Sequence, residues 1–365
     1  HRFALNELDF DDVNDRGPVH LQASGILEGR DFELTGTFPP LEQALDQETP
    51  KPVVIAMTGA HMQARLYGTI TDPLNGRGMD FNVNLNIPEA HELLEVFWDG
   101  IPAVGAVQGS ARLQGDYAVP RLADIDIHMH RGEEVDLTVT GSVDNIFTGE
   151  GADLHMVGQS SHPQVASWML FGTVSAISAL SIDGHLQEQQ GVYRVRDLNA
   201  EVKTSDGLEM KASGDGQLYP ARHRFSDADE GIDLDLSAPN TDALNLYQVE
   251  AIPSLGPVTG RARLIVSRDA IALYKTDLSI GKGSATSVRL QGQLGQVPLH
   301  DVKAMSDINL KVDIKTTDLA ALARIFDFQI DHDQTAPGHV VTHLTGAGSN
   351  INLGQTDITV GSKDG

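Results

Sequence analysis

Fourteen histidines and 51 carboxylates give this 365-residue chain ample material for acid–base or metal chemistry. The first question is whether any of them are spaced to use it. In "DIDIHMH", Asp126, His128 and His130 alternate with Ile127 and Met129. Alternate residues of a strand share a face, so two imidazoles and a carboxylate would stand in line, a set that suits zinc or a similar cation. The local spacing supplies no third strong ligand, and a solvated strand face is the plainer reading. The run "DADEGIDLD" from Asp227 is acidic enough for calcium, but a helix–loop–helix calcium loop needs glycine sixth and glutamate twelfth. Here Gly231 is fifth and the stretch runs straight into an alternating segment, which marks a solvated turn.

Other catalytic patterns do not assemble. "GKGSAT" and "GAGSN" lack the lysine–hydroxyl order of a phosphate loop and have no helix N-terminus beside them. No G-x-S-x-G and no H-E-x-x-H occurs, and the serines of "GQSSHP" sit where a helix cap is expected. The absence of cysteine removes thiolate ligands, a cysteine nucleophile and any disulfide framework. Arg112 and Arg263 recur in a repeated phrase, yet alternation turns them away from Ala111, Leu113, Ala262 and Leu264, toward surface carboxylates. The expectation is a protein with no cofactor, no metal and no catalytic residue, and so not an enzyme.

The formal net charge of −25 and a pI near 4.7 would repel nucleic acid and anionic bilayer surfaces. Any lipid must therefore be met by apolar contact. No apolar run is long enough to span a bilayer; "SWMLFGTVSAISAL" is interrupted by Gly172 and serines. The sequence opens on His1 with no leader, so a processed or internal portion of a longer protein is expected.

The elements that would position these residues repeat. "IPAVGAVQGSARL" from Ile101 and "IPSLGPVTGRARL" from Ile252 are identical at eight of 13 positions. Helix-like segments begin at Asn86, Ser161, Asn240 and Thr316, spaced by 75, 79 and 76 residues. They predict helices over 88–98, 162–171, 241–249 and 317–326, with "PPLEQALDQ" marking an earlier, irregular unit. A second phrase recurs with its acidic residue at Asp197, Asp277 and Asp357, preceded by Asp124. The repeat, of about 77 residues, holds about five strands and one short helix. The units are an irregular start over 1–85, repeats over 86–160, 161–239 and 240–315, and a partial repeat over 316–365.

Between the helices, nearly everything alternates with period two. The apolar set runs through Ile125, Ile127, Met129, Val135, Leu137, Val139, Leu154, Met156, Ile182, Leu208 and Met210. It continues through Ile232, Leu234, Leu236, Leu264, Leu278, Ile280, Val288, Leu290, Ile308, Leu310, Val312 and Ile314. With aromatics at 5%, this face is smoothly aliphatic. It is either a closed core or a curved face left open to an apolar guest; periodicity does not separate the two.

The run "KPVVIAMTGAHMQARLYGTITDPLNGRGMDFNVNLN", a helix, then "GIPAVGAVQGSARL" and "RLADIDIHM", resembles the AsmA-like family of bacterial envelope proteins. The resemblance is strongest from Pro52 to Val143 and recurs loosely in later units. It implies a mostly β fold: an elongated, repeating antiparallel β-sheet groove, related in architecture to TamB and to chorein-type bridge proteins. It further implies a conduit for phospholipid between inner and outer membranes. The setting would be the periplasm, with an inner-membrane helix not present in this chain. The apolar set above would then line the groove. At about 4.8 Å per strand, roughly 22 strands would extend on the order of 100 Å. The alternatives are a structural or adhesive β-repeat protein with a closed core, and a carbohydrate-active enzyme, for which aromatic platforms are too few.

Overall fold

The computed structural model describes residues 3–11, 17–27, 29–44, 46–59, 61–90, 102–169, 177–219, 231–244, 254–267, 270–298, 304–320, 336–348 and 350–361. Two compact units divide the chain: His1–Phe171 with His185–Gly191, and Gly172–Gly184 with Val192–Gly365. The first holds β1 (Phe3–Asp11), β2 (Val19–Leu27), β3 (Arg30–Phe38), β4 (Lys51–Gly59) and β5 (Met62–Asp72). It continues with β6 (Arg77–Ile87), β7 (Ala106–Asp116), β8 (Val119–Arg131), β9 (Val135–Val143) and β10 (Asp153–Ser160). Each pairs antiparallel with the next.

The second unit holds β12 (Val192–Thr204), β13 (Glu209–Tyr219), β14 (Ile232–Ala238), β15 (Val258–Ser267) and β16 (Ala270–Ile280). Then come β17 (Thr286–Pro298), β18 (Ser306–Thr316), β19 (Gly338–Ala347) and β20 (Asn350–Val360). These too pair antiparallel in sequence order. Because β14 is short, the end of β13 reaches past it and makes a brief parallel contact with β15, Leu218 opposite Val266. Strand β11 (Ile177–Gln189) contributes residues to both units.

The alternation of the sequence is thus realised as antiparallel sheet, but the details of the repeat differ from expectation. The four longest connections follow β6, β10, β14 and β18, so four strands separate them, not about five. Of the four expected helices, Pro163–Met169 forms one, and Thr241–Leu244 forms only a 3₁₀ turn. Residues 91–101, 245–253 and 321–335 lie outside the described residues, so a helix in every repeat is not established. "PPLEQALDQ" contributes a single helical turn, Leu41–Ala44.

The second recurring phrase marks a β-bulge. Asp124, Asp197, Lys275 and Gln355 take φ of 50°, 51°, 50° and 43° on β8, β12, β16 and β20, every fourth strand. Each sits where the pairing register slips. The structural equivalents of Asp197 are therefore Lys275 and Gln355, two residues ahead of the Asp277 and Asp357 suggested by the letters. What recurs is an extra residue that bends the strand, and any polar residue with its side chain in solvent can occupy it.

The repeated phrase has a backbone reason too. Its fifth residue is Gly105 in one copy and Gly256 in the other, with φ of 86° and 100°. A Cβ on Gly105 would lie 2.4 Å from the carbonyl oxygen of His130, and one on Gly256 would lie 2.5 Å from Ser284 Oγ. Hydrogen bonds hold each turn: Ala90 N–H donates to Gly105 O at 3.0 Å, and Gly256 N–H donates to Asn240 Oδ1 at 3.1 Å. Here the connection re-enters the sheet.

Gly105→Ala therefore meets both a left-handed φ and a backbone clash, and should cost on the order of 2 kcal/mol or more in urea unfolding. Gly132→Ala, at φ 52° with open space around it, carries the φ strain alone and should cost about 1 kcal/mol.

Candidate functional site

The apolar residues stand in cross-strand rows, because residues directly opposite in an antiparallel pair share a face. One row of the first unit crosses all ten strands: Leu8, Ala23, Leu34, Met57, Ala64, Leu85, Gly109, Ile127, Val139 and Met156. Beside it run Ile87, Val107, Met129, Leu137 and Gly158, and on the other side Ile125, Gly141 and Leu154. The part of this face on β2–β6 is absent from the lining set named above. Its signal is present in the same alternation, in "VVIAMTG" and "DFNVNLNI".

The second unit repeats the arrangement. Met210, Leu236, Gly260, Leu278, Leu290 and Val312 form one row, and Val258, Ile280, Val288, Ile314 and Val340 another. Ile232, Leu264, Leu273, Leu294 and Ile308 form a third. Leu234 stands opposite Ala262, and Leu310 opposite Leu344. Ile182 is half-buried on β11.

Burial is uneven along these rows. Where connections fold back over strand ends, Ile87, Ala90, Val104, Val107, Val135 and Val165 form one buried cluster, and Phe81, Ile125, Ile232, Val288, Ile308, Leu310 and Val312 are buried within the rows themselves. Leu208, Ala238, Ala243 and Val258 form its counterpart in the second unit. Val135 and Leu208, both expected to line the face, are instead 1% exposed within these rims. Leu137, beside Val135, is 3% exposed. Away from the rim, Leu34, Met57, Leu85, Ile127, Val139 and Met156 remain only half-buried. Within each unit, the elements in contact are neighbouring strands, or a short helix against the strand before it. Among the described residues no second sheet covers the middle of the face.

The opposite face carries a lattice of charges, and in the second unit also a buried cluster of Ile265, Ala272 and Tyr274. Arg112 Nε and Nη2 donate to Asp80 at 2.7 and 2.8 Å. Arg263 holds Asp233 at 2.7 Å, and Arg289 donates to both oxygens of Asp277 at 2.8 Å. Arg112 and Arg263 thus make the carboxylate pairs that alternation implies. The guanidinium hydrogen bonds of Arg112 and Arg289 hold the Asp80 and Asp277 carboxyls below the usual carboxylate range.

His128 and His130 stack at 5.8 Å on this face, and His128 Nε2 lies 2.8 Å from Asp136 Oδ1. Asp126 instead stands opposite Ser110 and Thr140. The described residues contain no group of three or more side chains able to hold a metal ion. Of the acidic run, residues 227–230 lie outside the described residues, and Gly231 leads directly into β14. No described helix is long and apolar enough to cross a membrane.

No protein-family model, curated protein or solved structure matches this chain.

Leu137→Ala should cost about 2–4 kcal/mol, as a truncation in a closed site does. Met156→Ala, in the half-open middle, should cost no more than about 1 kcal/mol; urea unfolding separates the two. The depressed carboxyl of Asp277 contributes stability that is present above the ordinary carboxylate pKa and lost as pH falls through its lowered value. The gap in stability between wild type and Asp277→Asn should hold from about pH 5 to 8 and shrink below about pH 4.

Proposed function

We propose that the chain is a lipid conduit, carrying phospholipid acyl chains along its apolar face between the inner and outer membranes of a Gram-negative bacterium. The observation that supports this reading is the aliphatic row crossing ten paired strands, whose members from Leu34 to Met156 stay only half-buried. A closed structural core would bury them. The resemblance to AsmA-like envelope proteins points the same way, with the face acting as the floor of an elongated groove in the periplasm.

The physics of such a conduit is simple. Exposing acyl chains costs about 0.8 kcal/mol per CH₂, so two tails crossing water face a barrier on the order of 20 kcal/mol. An aliphatic floor removes much of that cost without a directional contact, so a lipid can slide. The head group stays in water at the open side, which makes head-group charge a minor factor in binding. No catalytic residue is required.

The test is mass spectrometry of lipid extracted from protein purified under mild conditions. Wild type should carry phospholipid. Val139→Arg puts a charge on the half-open floor, where its long stem can carry the guanidinium to water. It should lower bound lipid on the order of tenfold while thermal unfolding changes little. Thr138→Arg, on the polar face, should carry lipid as wild type does. Leu137→Arg is a poorer probe, since its burial makes loss of folding the first effect. Wild type free of lipid, or Val139→Arg fully loaded, would overturn the reading.

A further inference from the structure

On the polar face of the second unit lies a hollow of about 740 Å³. Its floor is a cross-strand row of short hydroxyl side chains, Ser237 on β14, Thr259 on β15 and Ser279 on β16. On one side stands the row Lys211, Asp235, Arg261 and Asp277, in register across four strands. On the other stand Lys282 and Lys315. Short side chains between long ones make a depression even in a continuous sheet. The floor residues alternate with Leu236, Val258 and Leu278, so the hollow is on the side opposite the apolar rows.

Cations on this face are commonly held by a carboxylate on the next strand, as Arg112 is by Asp80 and Arg263 by Asp233. Inside the hollow, Arg289 follows that habit with Asp277, and Lys211 lies 3.6 Å from Glu201. Arg261, Lys282 and Lys315 make no ion pair among the described residues. Arg261 acts on Asp277 only as a charge at longer range, because Arg289 already occupies both carboxylate oxygens. Asp313 is met by His339 at 3.0 Å, and no ion pair joins it to Lys315 among the described residues. In a chain of net charge −25, three uncommitted cations converge on one cavity floored with hydroxyls.

We infer that this hollow binds a phosphorylated sugar, either free or as the head group of a lipid. The three cations would meet the phosphate, a dianion whose oxygens favour ammonium and guanidinium donors. Asp235, which also makes no ion pair among the described residues, is placed to accept from sugar hydroxyls. The row Ser237, Thr259 and Ser279 supplies matching donors and acceptors. The volume exceeds what inorganic phosphate alone would fill. The site is independent of the conduit reading, because it uses the other face of the sheet.

Titration calorimetry of the full 365-residue chain with glucose phosphate, alongside flotation with phosphatidylcholine vesicles with and without phosphatidylinositol phosphate, tests the inference. Saturable binding of glucose phosphate, far stronger than of glucose, assigns a free ligand. Flotation only with the phosphoinositide vesicles assigns the lipid-borne form. In either case Arg261→Gln with Lys315→Gln should weaken binding at least about tenfold, and added salt should weaken it further. Neither side chain makes an ion pair, so thermal unfolding of the double variant should match wild type. Lys282→Gln alone provides the same comparison if the double variant folds poorly. Val139→Arg, on the opposite face, should leave this binding unchanged. Binding of neither probe, or equal binding by the cation variants, would overturn the inference.

Discussion

Everything in this protein depends on one constraint: a β-strand must satisfy its backbone hydrogen bonds sideways, in the plane of the sheet, while its side chains point up and down. That demand is met by pairing consecutive strands, from β1 to β10 in one unit and from β12 to β20 in the other. Pairing in the plane does nothing to cover either face. Over most of the polar face no cover is needed, because carboxylates and guanidinium groups on adjacent strands neutralise one another in water; the buried patch of Ile265, Ala272 and Tyr274 is the exception. The apolar face has no such solution, and among the described residues it is covered by connections at the rim and left half-buried along the row from Leu34 to Met156.

The rims hold two of the buried apolar clusters among the described residues. Connections after β6, β10 and β14 lay small apolar residues, Ala90, Val104, Val165 and Ala243, over the strand ends. Where these connections re-enter the sheet, the chain passes through Gly105 and Gly256, whose left-handed φ leaves little room for a Cβ. The middle of the face, by contrast, is stabilised mainly by neighbours within the sheet. A protein built this way can keep a well-ordered fold at its edges while leaving an aliphatic surface available. That division of labour is the physical basis for reading the open face as the functional one.

The two faces also divide chemistry. Aliphatic rows offer no direction and no specificity, which suits a cargo that must move. The charged lattice offers fixed, directional donors, and where its pairing is incomplete, around Ser237, Thr259 and Ser279, it offers a place where a ligand can stop. Alternation with period two is what allows both properties to occupy the same strands.

Much of this was legible in the sequence, since period-two alternation depends only on neighbouring residues. The β class, the two faces, the outward arginines and the repetition all follow from it. The pairing of consecutive strands across the long connections after β6, β14 and β18 was not legible, since no short turn forces it. The rest was decided in three dimensions. Letters aligned Asp197 with Asp277, but the bulge belongs to Lys275, because bending a strand needs an extra residue and not a particular side chain. Alternation gave Leu137 and Val139 the same face and could not rank them. Only the fold shows that the first is 3% exposed and the second half-buried. The hollow was invisible for the same reason: Ser237, Thr259 and Ser279 are far apart in sequence, and only strand register makes them one row.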